Sequence, residues 1–153
     1  MPLAYISIGS NLGGREENCR RALSMLESLG VKIIAVSRAY ETKPWGNTDQ
    51  PDFINMAAAL ETDLPAEELH RRLHEIEDRM GRVRLEKWGP RIIDLDLLLY
   101  NGMVINKPGL VIPHPSIPER EFVLVPLAEI APDAVHPVLK KTVRQLLDEL
   151  KSR

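Results

Sequence analysis

Two stretches of the chain carry apolar residues at helical spacing, and each lies between segments of strand character, an order that few folds accommodate. In residues 15–29, Cys19, Ala22, Leu23, Leu26 and Leu29 recur at three and four, and Gly30 follows where a helix often ends in a left-handed residue. In residues 65–80, Pro65 suits a first turn, Leu69, Leu73, Ile76 and Met80 form one stripe, and Gly81 closes it. Ahead of the first helix Ala4, Ile6 and Ile8 alternate with Tyr5 and Ser7, the period of a strand. Residues 31–42 are rich in β-branched side chains and predict a second strand. Residues 53–62 contain three alanines that favour helix, but their length and their place after a loop of Pro, Gly, Asn and Asp predict a strand. Residues 92–100 alternate again, and Thr142 is placed to cap a last helix reaching about residue 151. The order βαββαβ predicts an α+β fold with a ferredoxin-like core, an antiparallel-rich sheet flanked by helices that lie on one face.

The chain has 153 residues, and its 12 prolines are scattered rather than gathered into a linker, so residues 1–153 read as a single domain. Twenty Lys and Arg against 22 Asp and Glu give a net charge of −2, which supplies no global field for nucleic acid or an anionic membrane. Cys19 is the one cysteine, so there is no intrachain disulfide and no CxxC pair. It sits on the apolar helix stripe, which predicts a core residue rather than a nucleophile. With no apolar run near the ~20 residues of a spanning helix and no signal-like N-terminus, the expectation is a cytoplasmic protein in a reducing compartment.

The chemistry concentrates in residues 79–99. Alternation sends Ile93, Leu95, Leu97 and Leu99 to one face and both Asp94 and Asp96 to the other. Two carboxylates side by side can share one divalent cation or hold two, and hard oxygen donors with few other ligands suit Mg²⁺ that keeps waters and phosphate oxygens. Two like charges on a short strand also need a cationic partner. Arg79, Arg82, Arg84, Lys87 and Arg91 face a single acid, Glu86, in the preceding segment, where Trp88, Gly89 and Pro90 add an aromatic and a rigid turn. That combination points to a metal-bound polyphosphate beside a flat ligand. Neither a GxxxxGK[ST] run nor a strand-linked GxGxxG is present. His70, His74 and Glu77 fall along one helical edge and could ligate zinc, but without a fourth ligand or an HExxH pattern they read as a polar flank lining a nucleotide pocket.

The run Lys87, Trp88, Gly89, Pro90, Arg91, Ile92, Ile93, Asp94, Leu95, Asp96, Leu97, Leu98 resembles the signature of the 6-hydroxymethyl-7,8-dihydropterin pyrophosphokinase family of folate biosynthesis. The likeness extends through Ile8-Gly9-Ser10-Asn11-Leu12, Thr42, residues 49–55, residues 81–84, Pro113-His114-Pro115, Pro126-Leu127 and Ile130-Ala131-Pro132. It implies that Asp94 and Asp96 bind two Mg²⁺ ions with ATP as co-substrate, and that Arg82 and Arg91 neutralise phosphates with help from Arg84 and Lys87. By the same resemblance His114 and Arg120 complete the ATP site, with His74, Glu77, Leu97 and Trp88 near the nucleotide. The pterin would lie between Phe53 and Phe122, with Asn55 and the backbone around Thr42, Lys43 and Trp45 reading its polar edge and Trp88 closing over it. Phe53 stands where many members carry Tyr, and Gly109, Val111 and Pro115 occupy positions that can be polar ATP contacts.

The implied reaction is attack of the pterin hydroxymethyl oxygen on the β-phosphorus of ATP, with AMP leaving. Such chemistry is mostly positioning and charge neutralisation, and no side chain is assigned as general base. The implied partners are these two small molecules, and the expected state is a monomer. Two rival readings share these features. A Mg²⁺-dependent phosphodiesterase or nuclease could use the same aspartate pair, and a noncatalytic RNA-binding domain could use the same sheet. The second would need paired aromatics on central strands and a (K/R)-G-(F/Y) type of run, which is absent.

Overall fold

The computed structural model describes residues 2–43, 52–81 and 92–153. Its elements begin β1 (Leu3–Ser10), α1 (Arg15–Ser28), β2 (Lys32–Val36), β3 (Tyr40–Thr42), β4 (Phe53–Glu61), α2 (Ala66–Arg79) and β5 (Asp94–Tyr100). They continue with β6 (Ile105–Lys107), β7 (Leu110–Ile112), a short 3-10 turn at Ile117–Glu119, α3 (Glu121–Ile130), β8 (Val135–His136), β9 (Lys141–Thr142) and α4 (Val143–Lys151). The main sheet runs in the order β2-β4-β1-β5, with β3 also paired to β4, and every pairing in it is antiparallel. This is the α+β arrangement expected from the βαββαβ order.

Both helix ends read from glycine are present. Gly30 and Gly81 stand just past the caps of α1 and α2 with φ of +86° and +80°, the left-handed conformation that glycine adopts without steric cost. Thr142 caps α4 in a reciprocal box, its Oγ1 accepting the Gln145 N–H at 3.1 Å while the Gln145 side chain accepts the Thr142 N–H at 2.8 Å.

Three expectations need correction. The predicted strand 31–42 is two strands, because the buried Ser37 replaces a ladder bond: its Oγ accepts the Ala57 N–H at 2.9 Å and donates to the Arg38 carbonyl at 2.8 Å. Leu99 does not share a face with Leu95 and Leu97. The pairing of β5 with β1 slips between Tyr5 and Ile6, which puts Tyr5 opposite Leu99 and Ile6 opposite Leu97. Leu98 is the extra residue of this bulge, and both Leu98 and Leu99 enter the second core. Finally, helices cover both faces. Ala4, Ile6, Ile8, Met56, Ala58, Leu60, Leu95 and Leu97 pack under α1 and α2, while Ala57, Leu98 and Leu99 pack with Val123, Leu124 and Leu127 of α3 and Val143 and Leu146 of α4. Among the described residues no helix is long and apolar enough to cross a membrane.

Candidate active site

The second face of the sheet is apolar where α3 and α4 lie on it and polar towards the end where β1 finishes and β5 begins. Asp94 is the register partner of Gly9, and Gly9 is the partner of Asn55 on its other side. Asp96 stands beside Ser7. The two aspartates therefore share one face, both partly exposed, with Asn55, Phe53 and Ala57 across the strand between them. Asn55 is buried and donates its side-chain amide to the Thr42 hydroxyl, so β3 and β4 present a fixed polar edge. Gly9 has no positive φ to require glycine. A Cβ there would meet Asn55 Oδ1 at 3.2 Å and Phe53 Cδ1 at 3.7 Å. A glycine inside a strand is a sign of close approach by another group.

Above this floor stands the N-terminal end of α3. Phe122 is half-buried, with the Arg120 guanidinium 5.6 Å from its ring centroid. A cavity of about 500 Å³ opens between β3 and α3, lined by Tyr40, Thr42, Phe122 and the carboxylates Glu41, Glu119 and Glu121. Tyr40 donates its hydroxyl to Glu129, which also accepts the Arg38 N–H at 3.1 Å, so the wall formed by β3 is tied to the far end of α3.

His114 approaches from beyond the edge of the sheet. Its backbone N–H donates to the carbonyl of the bulge residue Leu98 at 3.0 Å, and its Nε2 lies 3.7 Å from Asp96 Oδ1. Nδ1 accepts the Ser116 N–H at 3.2 Å, which leaves the ring proton on Nε2, the side facing Asp96. Burial, followed by the Arg120 guanidinium, holds the imidazole below its ordinary pKa against the pull of Asp94. His114 is thus a neutral donor at pH 7.

The remaining support comes from α2 on the first face. Glu77 is 1% exposed, and its Oε2 accepts the N–H of Leu95, the residue between the two aspartates, at 2.8 Å. Its Oε1 is 3.1 Å from His74 Nδ1. Leu97 is 3% exposed within the first core and does not join the aspartates. Lys43 directly follows β3. Trp45, Arg82, Arg84, Lys87, Trp88 and Arg91 lie outside the described residues. The bulge at Leu98 escaped the sequence reading because it has no local signature, and Gly9 entered that reading only within the family likeness, although its place inside an alternating strand is a signal in itself.

The family profile of 7,8-dihydro-6-hydroxymethylpterin-pyrophosphokinase matches residues 5–132. The chain belongs to that family. With it the chain joins the pyrophosphokinases, a class of transferases. The 2-amino-4-hydroxy-6-hydroxymethyldihydropteridine pyrophosphokinase of Methylorubrum extorquens is 44% identical over 98% of this chain and 94% of that protein. The enzyme of the same name from Haemophilus influenzae is 43% identical over 97% of this chain and 95% of its own length. The chain also matches the wild-type HPPK-DHPS crystal structure of Plasmodium falciparum, with a TM-score of 0.77 at 18% identity, covering 99% of this chain and 45% of that one. At that identity the likeness is one of fold, and this chain spans less than half of the longer protein.

Proposed function

We propose that this protein transfers the diphosphate of ATP to the hydroxymethyl group of 6-hydroxymethyl-7,8-dihydropterin and releases AMP, acting in the cytoplasm on these two small molecules. The observation that carries the reading is the row Asn55, Gly9, Asp94 across three adjacent strands, which joins a polar edge suited to a flat heterocycle to a carboxylate pair suited to metal-bound phosphate. Membership of the pyrophosphokinase family supports it independently.

The donor chemistry of Asp94 and Asp96 fits Mg²⁺, since two hard carboxylates on one partly exposed face leave positions for water and phosphate oxygens. Magnesium held by these residues supplies charge neutralisation and polarisation at the reacting phosphate. The chain's own residues do the rest. Asn55 and Thr42, with the backbone at Lys43 and Trp45, hydrogen-bond the pterin edge, while Phe53 and Phe122 stack on its faces. His114 donates Nε2–H towards the nucleotide, Arg120 adds positive charge beside it, and Glu77 with His74 holds the strand that carries both aspartates. Arg82, Arg84, Lys87 and Arg91 neutralise phosphate charge, and Trp88 closes over the bound ring.

The deciding experiment is incubation of the protein with ATP, Mg²⁺ and the hydroxymethyl pterin, with the products identified by mass spectrometry. AMP and a pterin diphosphate formed in equal amounts are expected. ADP and a pterin monophosphate, or nucleotide hydrolysis indifferent to pterin, would overturn the proposal.

A further inference from the structure

The helix α2 carries a second constellation of side chains suited to metal, and one member of it, His74, also braces the strand of the aspartates through Glu77. His70 and His74 are one turn apart, and their Nε2 atoms lie 3.1 Å from each other, with the rings edge to face at 88°. A transition metal ion takes each imidazole nitrogen at about 2.0–2.1 Å. Two such ligands are then roughly 2.9 Å apart at a right angle and roughly 3.3 Å apart at a tetrahedral one, by the same bond lengths. The observed separation falls between these values. Two histidines at i and i+4 are also the helical spacing by which one face of a helix supplies a zinc ion with two ligands.

A further relationship points the same way. The other nitrogen of His74, Nδ1, faces the buried Glu77 carboxylate at 3.1 Å, and that carboxylate is fixed in turn by the Leu95 N–H. A carboxylate that holds one nitrogen of a histidine sets its tautomer and turns the other lone pair outwards, which is the usual support of a metal-ligating imidazole. Without metal, a proton must lie between the two Nε2 atoms, because two lone pairs at this distance repel. On metal binding that proton leaves the space between the rings, by exchange through solvent, for His70 Nδ1. The neighbouring cations Arg71 and Arg72 are paired with Glu68 and Glu75, so they do not oppose an incoming ion.

The geometry points to a site for a divalent transition metal ion such as Zn²⁺ on His70 and His74, separate from the carboxylate pair. No cluster of three or more His, Cys, Asp or Glu ligands occurs among the described residues, so water fills the remaining positions. Imidazole donors favour zinc over magnesium, whereas the aspartate pair has the opposite preference. The inference stands apart from the catalytic reading, because it concerns the protein with no substrate bound.

The test is titration of the substrate-free protein with Zn²⁺ by calorimetry, together with paramagnetic resonance of the Cu²⁺-loaded form. Wild type should take up an equivalent of Zn²⁺ that persists in the Asp94→Asn/Asp96→Asn double variant and in excess Mg²⁺, and the copper spectrum should show two nitrogen ligands. His70→Ala should weaken that equivalent about tenfold or more, at least the loss caused by removing a supporting residue. His70→Gln, scored with circular dichroism and urea melting, guards against a folding defect. Zinc uptake that is absent from wild type, unchanged in both His70 variants, or lost with the aspartates would overturn the assignment.

Discussion

Gly9 stands in register between Asn55 and Asp94, the only residue separating the amide that would read a ring from a carboxylate that would hold metal. Strands in a sheet are about 4.8 Å apart, so these two groups are roughly 10 Å from each other with a bare backbone between them. Glycine inside a strand costs about 0.5–1 kcal/mol relative to alanine, and the backbone here does not require it. Its value is the low floor. Gly9→Ala crowds the buried Asn55 amide, so it should raise KM for the pterin about tenfold with little effect on KM for ATP while the domain still melts cooperatively. Steady-state kinetics and calorimetry check both halves, and an equal change in the two KM values would contradict the steric account.

Asp94 and Asp96 are adjacent like charges on one face of an edge strand, an arrangement that destabilises the folded chain in itself. Asp94→Asn or Asp96→Asn should keep the wild-type fold by circular dichroism while turnover falls roughly a thousandfold, the scale of a lost metal ligand. Kinetics across a range of Mg²⁺ concentration decide the matter. Near-normal turnover at saturating Mg²⁺ would remove these residues from the site.

Glu77 is buried under the strand that carries the aspartates, and its bond to the Leu95 N–H is a tie between α2 and the site. Replacement by Ala orphans a buried N–H, at a cost of about 1–3 kcal/mol, whereas Gln keeps a carbonyl acceptor of the same shape. Glu77→Ala should lose both stability and turnover. Glu77→Gln should recover most of the stability, with urea melts and kinetics run in parallel. Identical behaviour of the two variants would show that the hydrogen bond at Leu95 does not position the strand.

Much of this was legible in the sequence because it rests on local periodicity. Helices α1 and α2 bury stripes spaced at three and four, their ends are set by glycines that tolerate positive φ, and the capping box of α4 lies within four residues. Helix α3 was not legible. Phe122 to Leu127 is an unbroken apolar run containing Pro126, with Pro113, Pro115 and Pro118 just before it, so neither period nor punctuation marks a helix there. Its burial against the second face is a tertiary fact, and with it goes the reading of helices on one face only. The aspartate pair could be read from alternation, because residues two apart on a strand lie on the same side where no bulge intervenes, and the bulge at Leu98 comes after both. The approach of His114 to Asp96 could not, since it depends on a bulge at Leu98 that appears only when β1 and β5 are paired.

His136 reports on the β8–β9 pair. It is buried, its Nδ1 accepts the N–H groups of Val138 and Leu139, and burial holds its pKa below the ordinary 6.5. The unfolded chain therefore binds more protons than the native one as pH falls through 6.5, so this histidine's contribution is complete above that pH and is lost below it. Thermal stability should decline more steeply from pH 6.5 to 5 in wild type than in His136→Asn, which keeps an acceptor but cannot titrate there. Parallel pH dependences in the two proteins would rule out this histidine as a source of acid sensitivity.

Cys19 tests whether the core under α1 is as closed as it looks. The side chain is fully buried among Ala22, Leu23 and Leu26, and burial foremost, with Glu16 adding to it and Arg20 opposing, pushes the thiol pKa up to about 12. Only the thiolate reacts with disulfide reagents, so at pH 8 the folded protein should remain unlabelled on the timescale of minutes. Labelling should then proceed at the rate at which the domain opens, accelerating with urea in step with unfolding. Cys19→Ser should lower stability by about 1–3 kcal/mol, because a hydroxyl in that apolar setting is desolvated without a partner. Cys19→Ala should cost less. Rapid labelling of native protein, at a rate that rises with pH as an exposed thiol's does, would mean that α1 lifts from the sheet far more readily than its packing implies.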